Sequence, residues 1–229
     1  DLGHTPFGHS GEYILNKICE DGFTHYEQSV RIVEVLEKDG RGLNLTWEVR
    51  DGIRNHRTSG HPSTLEGAIV RLSDKIAYIN HDIDDAIRAR MFTEHELPRV
   101  YTDVLGHSVR ERLNNMIHDI ILNSMDKPAI TMSEGMEEAM QGLRKWMFDN
   151  VYKNDIPKAE EGKAQNMITQ LYEYYMGHVD KLPVEYVLLM VNKGEKKSRV
   201  VCDYIAGMSD IYAIDQFEEL FVPKRWNVY

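Results

Sequence analysis

The longest uninterrupted helical pattern in the chain runs from about Thr64 to Met91 and contains no proline. Pro62 stands just before it, and the segment Ser63–Glu66 fits a capping box, in which a hydroxyl and a carboxylate satisfy free N–H groups of the first turn. A pattern of this length predicts a helix of several turns. Because such a helix must bury its apolar face against other elements, it constrains the fold more than any other segment.

The rest of the chain has the same helical character. Ser29–Leu36 carries apolar residues at spacings of three and four, whereas strand signal is weak and limited to a few alternating residues in Asn44–Val49. Five further helical stretches are separated by proline or glycine: Thr102–Asn123, Met132–Tyr152, Ala159–Gly177, Leu182–Val191 and Lys197–Tyr212. We therefore predict an all-α fold.

Composition narrows the class of protein. The formal charge of −10 argues against a nucleic-acid-binding surface. No apolar run approaches the roughly 20 residues that span a bilayer, so no membrane partner is expected, and no basic and apolar leader is visible. Cys19 and Cys202 form no Cys-x-x-Cys pair, and neither a zinc knuckle nor a disulfide framework is expected. We expect a cytoplasmic protein.

The first twelve residues, DLGHTPFGHSGE, form a loop that leads into a helix. Pro6 and Gly8 prevent regular helix before His9. His9 and Glu12 then lie three residues apart on one helical face, where a carboxylate orients an imidazole and raises its pKa, as a general acid requires. For an isolated His-x-x-Glu, an ordinary capped helix start is the commoner explanation.

A second polar pattern lies inside the long helix, in the segment VRLSDKIAYINHDIDDAI. Asp74, Tyr78, Asp82 and Asp85 fall on or near one face, with Lys75 beside them. Polar residues in such a row usually mark a solvated surface. The intervening apolar residues leave little room for an all-polar outer face, however; they are Ile76, Ala77, Ile79 and Ile83.

Both segments resemble the signature of HD-domain deoxyguanosine triphosphate triphosphohydrolases. The resemblance implies an HD-domain helical bundle with additional C-terminal helices, with a catalytic core at 1–125 and a C-terminal helical region at 126–229. In that family a histidine directly precedes the signature aspartate, which is Asp1 here, and another histidine lies on an earlier helix. Both would lie upstream of Asp1, so we expect the chain to lack its N-terminal part.

The resemblance also implies roles for individual residues. Asp1 and Asp74 would bind a divalent metal, which could be Mn, Mg, Fe, Co, Ni or Zn. His4 would contact the α-phosphate, and His9, oriented by Glu12, would move the proton. The remaining assignments are His25, from FTHYEQS, as a phosphate contact or relay, Lys75 and Tyr78 as phosphate contacts, and Asp82 as a contact to the 3′-hydroxyl.

Other polar residues have weaker claims. His56 and His61 flank a loop that could border the pocket, although a surface position is the commoner explanation. Arg110 and Arg112 could clamp phosphate or lie on an exposed helix face. The segments Leu43–Ile53 and Asp203–Asp210 also look family-like and are interpreted as architectural.

The expected function is hydrolysis of deoxynucleoside triphosphates to deoxynucleoside and triphosphate. The alternatives are another HD-family nucleotide phosphohydrolase and a non-catalytic, nucleotide-sensing HD scaffold. The substrate and a nucleotide effector are the expected small-molecule partners, and the resemblance implies a homo-oligomer.

Overall fold

The structure, a computed structural model, describes residues 2–152 and 155–224, and of residues 152 and 155–159 it describes the backbone only. Within these ranges the chain forms helices and no strands, which confirms the all-α prediction. None of the described helices is both long and apolar enough to cross a membrane.

Two compact units make up the chain. Unit 1 combines residues 1–46 with 158–229, and unit 2 consists of residues 47–157. This division does not coincide with the boundary at 125 and 126 expected from the sequence. The assignment of residues 1–125 as the catalytic core stays a prediction.

The helices of unit 1 come from both of its segments. They are α1 (Gly8–Ile18), α2 (His25–Arg31) with a π-helical continuation (Ile32–Leu36), the short turn α3 (Glu37–Gly40), and later α9 (Asp155–Gly177), α10 (Val184–Lys193), α11 (Lys197–Ala206) and α12 (Asp210–Phe221). Their core includes Leu15 from the first segment and Ile168, Val200 and Ile205 from the second, all fully buried. Burial of such side chains stabilises by about 1.5–3 kcal/mol each.

Unit 2 is built around the long central helix. Its helices are α4 (Trp47–Arg54), α5 (Leu65–Arg88), α6 (Arg99–Leu105), α7 (Val109–Ser124) and α8 (Glu134–Met147), followed by a π-helical turn (Phe148–Tyr152). Ile83 of α5 packs with Met116 of α7 and Leu143 of α8 in a separate core. Each unit therefore has its own hydrophobic core.

The predicted long helix is confirmed as α5, but its cap differs by one residue. The Thr64 hydroxyl accepts a hydrogen bond from the Gly67 backbone N–H at 3.1 Å. Thr64 is therefore the N-cap, and the expected capping box of Ser63 and Glu66 is wrong. With Thr64 as cap, the third helical position is Gly67, which has no carboxylate to complete a box.

Two predicted helices are each divided in the structure. Gly106 (φ 124°) ends α6, and a Cβ there would lie 2.6 Å from Glu111 Cβ. Ser108 then caps α7 through the Glu111 backbone N–H. Lys197–Tyr212 is divided in the same way, because α11 ends before Gly207 and Ser209 caps α12. The few alternating residues of Asn44–Val49 form no strand, since Trp47 begins α4.

Cys19 and Cys202 form a disulfide across 183 residues of sequence. The expectation that the cysteines would not pair is therefore wrong. Spacing along the chain carried no signal here, because the partner of Cys19 is brought to it by the packing of α11 in unit 1. Both cysteines lie in the apolar core of that unit.

Candidate active site

The loop that precedes α1 is held by close backbone contacts. The Gly3 N–H donates to Ser29 Oγ of α2 at 2.8 Å, and a Cβ at Gly3 would lie only 2.1 Å from the carbonyl oxygen of His25. Glycine is therefore required where the loop crosses α2. The Phe7 N–H donates to Asp210 Oδ1 at 2.9 Å. These contacts anchor the residues on either side of His4.

Three of the predicted catalytic histidines meet at this loop. The His4 and His25 rings stack with centroids 5.6 Å apart, and the His4 and His9 centroids lie 6.1 Å apart. His4 and His9 are exposed, and His25 is partly buried. Their separation in sequence would not by itself indicate this proximity. We call His4, His9 and His25 the histidine cluster.

Glu12 serves a different histidine from the one expected. Both of its carboxylate oxygens lie within 3.0 Å of Nδ1 of His25, and one also accepts the His25 backbone N–H at 2.9 Å. His9 makes no hydrogen bond to Glu12 among the described contacts, and it lowers the pKa of Glu12 only as a nearby charge. The i, i+3 spacing suggested the pair His9 and Glu12, but the start of α2 presents His25 to the carboxylate more directly.

The same contacts determine the charge of Glu12. Partial burial alone would raise the pKa of Glu12, but the side-chain and backbone hydrogen bonds from His25 outweigh burial and hold that pKa below its ordinary value. Glu12 is therefore ionised near neutral pH. An ionised carboxylate at Nδ1 favours the tautomer of His25 that carries its proton on that nitrogen.

A largely buried ion-pair network holds the C-terminal half of α2. Asp203, almost fully buried, accepts hydrogen bonds from Arg31 at 2.7 Å and from Gln28 at 3.0 Å. Burial alone would lower the pKa of Arg31, but its bonds to Asp203 and Glu195 raise it. The network fixes the helix that carries His25, and it agrees with the architectural interpretation of the Asp203 segment. Arg31 and Gln28 were missed, because their partners are distant in sequence.

The polar row on α5 follows the predicted spacing. Asp74 and Asp82 are partly buried, and Tyr78 is 39% exposed. Burial lowers the pKa of Lys75, the nearby charges of Arg71 and Arg144 lower it further, and Glu137 acts in the opposite direction. Asp85, expected near the same face, is exposed and pairs with Arg88 at 3.3 Å.

Two arginines beside this row were not expected from the sequence. Arg71 Nη2 donates to the Thr58 carbonyl at 2.8 Å, and Arg144 Nη1 lies 3.4 Å from the Thr58 hydroxyl. Arg71 lies one turn before Lys75, which was a usable signal. Arg144 comes from α8 and no local pattern indicated it.

The four residues with weaker claims differ in burial: two are buried and two are exposed. Arg112 is fully buried, donates to Asn80 Oδ1 at 3.0 Å and pairs with Glu94, so neither an exposed face nor a phosphate clamp fits it. His56 is buried, with Nδ1 2.6 Å from the Ile53 carbonyl oxygen, which corrects the expected surface position. His61 and Arg110 are exposed.

The fit to a metal can be tested at Asp74. Among the described residues, this partly buried carboxylate has no hydrogen-bond or ion-pair partner, as expected of a side chain that serves as a metal ligand. Asp1 lies outside the described residues. In the described part of the chain no group of three or more metal-binding side chains occurs. An unpartnered carboxylate is compatible with a metal ligand, and the role of Asp74 in a metal site stays a prediction.

Family comparisons agree with these observations. The HD domain model matches residues 1–79, and the phosphohydrolase-associated domain model matches residues 130–219. A deoxyguanosinetriphosphate triphosphohydrolase-like protein from Caldanaerobacter subterraneus subsp. tengcongensis is 53% identical over 226 residues, which are 99% of this chain and 66% of that protein. Proteins of the same name from Clostridium perfringens and Clostridium tetani are each 41% identical, over 98% of this chain and 68% and 67% of their own lengths.

The chain thus spans about two thirds of the length of the curated relatives it matches. The match extends over both units, and it includes the histidine cluster and the polar row of α5. On this similarity and these two domain matches, the chain belongs to the deoxyguanosinetriphosphate triphosphohydrolase-like family of HD-domain phosphohydrolases.

Proposed function

We propose that the protein hydrolyses deoxynucleoside triphosphates to a deoxynucleoside and inorganic triphosphate with the help of a divalent metal. The observation that carries the proposal is the histidine cluster, in which three imidazoles meet beside an ionised carboxylate. Such a group can hold a phosphate and move a proton. The names of the relatives support the choice of substrate.

In this reaction water attacks the α-phosphorus and the bond to the 5′-oxygen breaks. His4 would donate to the α-phosphate, and His9 would deliver a proton to the departing 5′-oxygen. Asp1 and Asp74 would hold the cation, which when bound supplies charge neutralisation at phosphate and a lowered pKa for water. Imidazole and carboxylate ligands are compatible with Mn, Mg, Fe, Co, Ni or Zn.

Glu12 has a revised part in the proposal. Because its carboxylate faces Nδ1 of His25, it would fix the tautomer that carries a proton on Nδ1 and leave Nε2 as the nitrogen that can accept one. His25 can then take up or pass on a proton beside His4. Glu12 is thus a positioning residue for His25, and His9 remains the proposed acid.

The row on α5 would bind the rest of the nucleotide. Lys75 and Tyr78 would contact phosphate, and Asp82 would accept a hydrogen bond from the 3′-hydroxyl. Nucleotides that lack this hydroxyl should then bind less tightly. A homo-oligomer and a nucleotide effector remain predictions.

The test uses the intact protein, loaded in turn with Mn²⁺ and Mg²⁺ and incubated with each deoxynucleoside triphosphate singly and in mixtures. Release of inorganic triphosphate is the expected result. Release of single phosphates from a nucleoside monophosphate would instead indicate another HD-family phosphohydrolase. Nucleotide binding without any product would indicate a sensor or scaffold.

A further inference from the structure

Two arginines from different helices converge on one threonine in unit 2. Arg71 of α5 holds the Thr58 carbonyl, and Arg144 of α8 holds the Thr58 hydroxyl. A single residue of the loop between α4 and α5 therefore keeps two guanidinium groups side by side. We call Arg71 and Arg144 the arginine pair, and Thr58 its bridge.

The pair has hydrogen-bond donors to spare. A guanidinium has five N–H donors, and Thr58 takes one from each arginine. Nε of Arg71 is buried and has no hydrogen-bond partner among the described residues. A buried donor without a partner is destabilising, so its position favours a ligand that supplies oxygen acceptors.

Positive charge is concentrated at this point of an acidic chain. Lys75 lies one turn after Arg71 on α5. One turn and a fraction, from 71 to 75, is about 6 Å along the helix axis. Two neighbouring arginines repel each other unless an anion joins them, and their planar forks match phosphate oxygens.

We infer that Arg71 and Arg144, aligned by Thr58, bind the outermost phosphate of the substrate and so select triphosphates over shorter phosphate chains. The inference rests on the proposed function for the identity of the nucleotide. Lys75, which is closer to Asp74 along α5, would take a phosphate nearer the reacting bond. The arginine pair would then favour phosphate chains that are long enough to reach it.

The test compares Arg144→Gln with Lys145→Gln in the intact protein. Lys145 is the next residue of α8, is exposed, and gives the same change in charge. Binding of inorganic triphosphate and of inorganic phosphate is measured by calorimetry at two salt concentrations. Arg144→Gln should weaken triphosphate binding by about tenfold or more, because a charged hydrogen bond is lost, whereas Lys145→Gln should change it less than about twofold. Binding of single phosphate should change little in either variant.

A second variant, Arg144→Lys, separates charge from geometry. It keeps the charge but loses the fork, so an intermediate loss of triphosphate affinity is expected. Equal affinities in Arg144→Gln and Lys145→Gln would overturn the inference even if deoxynucleotides are hydrolysed normally. If the wild type hydrolyses no deoxynucleotide but Arg144→Gln still loses triphosphate affinity, the proposed function fails and the phosphate site stands. Thermal unfolding of each variant checks that it is folded.

Discussion

The histidine cluster of unit 1 and the polar row of unit 2 hold their side chains by different means. In the cluster, residues from a loop and two helices meet because Gly3 lies against the backbone of α2 and Glu12 holds His25. In the row, Asp74, Tyr78 and Asp82 are placed by one regular helix. A loop can gather rings from distant positions, but each ring depends on a neighbour, whereas a helix places each side chain independently.

The largest effect is expected at Asp74, the member of the polar row proposed to bind the metal. Asp74→Asn should remove bound metal and lower turnover by about 10⁴-fold, or roughly 5.4 kcal/mol, because the cation stabilises charge that develops in the transition state. Elemental analysis and triphosphate release are the measurements. Asp84→Asn, on the same helix, is the control and should retain both. Unchanged metal content in Asp74→Asn would remove Asp74 from the site.

His9→Ala tests the proposed proton donor of the histidine cluster. Turnover should fall by about a thousandfold, as is typical when a proton donor is removed, while nucleotide affinity is largely kept. Rates at saturating nucleotide and equilibrium binding separate the two effects. His178→Ala changes an exposed histidine elsewhere in unit 1 and should leave both quantities near wild type. Full turnover in His9→Ala would exclude the proposed acid.

Glu12→Gln tests whether the rings depend on their neighbours. Loss of the ionised partner of His25 should lower turnover by about 10–100-fold, the usual cost of removing an orienting group. Glu173→Gln, on an exposed part of α9, serves as the matched change. If turnover falls equally in both variants, the hydrogen bond to His25 has no special role.

The same variant predicts a dependence of stability on pH. The pKa of Glu12 is lower in the folded protein than its ordinary value of 4.5. Its contribution to stability is therefore present above pH 4.5 and is lost as the pH falls through the lowered value. The difference in unfolding free energy between wild type and Glu12→Gln should be largest near neutral pH and should close in acid, as denaturant titrations would show.

The smallest expected effect concerns the helix that carries the polar row. Thr64→Ala removes the cap of α5 and should lower the unfolding free energy by about 1 kcal/mol. Ser63→Ala is the matched control, because the neighbouring hydroxyl caps no helix among the described residues. A chemical denaturation curve for each variant measures the difference. A larger loss in Ser63→Ala would restore the capping box expected from the sequence.

The same contrast explains which features could be predicted from the sequence. The row on α5 followed from residue spacing along one helix, and the helix was found within a few residues of its ends. Glu12 was assigned to His9 because local spacing was the only guide, whereas its partner His25 is thirteen residues away. Arg144 and the Cys19–Cys202 pair depend on packing between helices. The break at Gly106 was missed because one glycine inside an apolar pattern is a weak signal.

The composition of unit 1 from two distant segments has a consequence for biosynthesis. Arg31 and Asp203, which join those segments, are separated by 172 residues. At ordinary rates of translation, roughly 10–30 seconds pass between the appearance of the first and the second. During this interval the segment that carries the histidine cluster lacks its packing partners from the second segment. All of residues 47–157 are synthesised in the meantime and can fold. Nascent chains stalled before residue 203 should therefore expose α1 and α2 to chaperones.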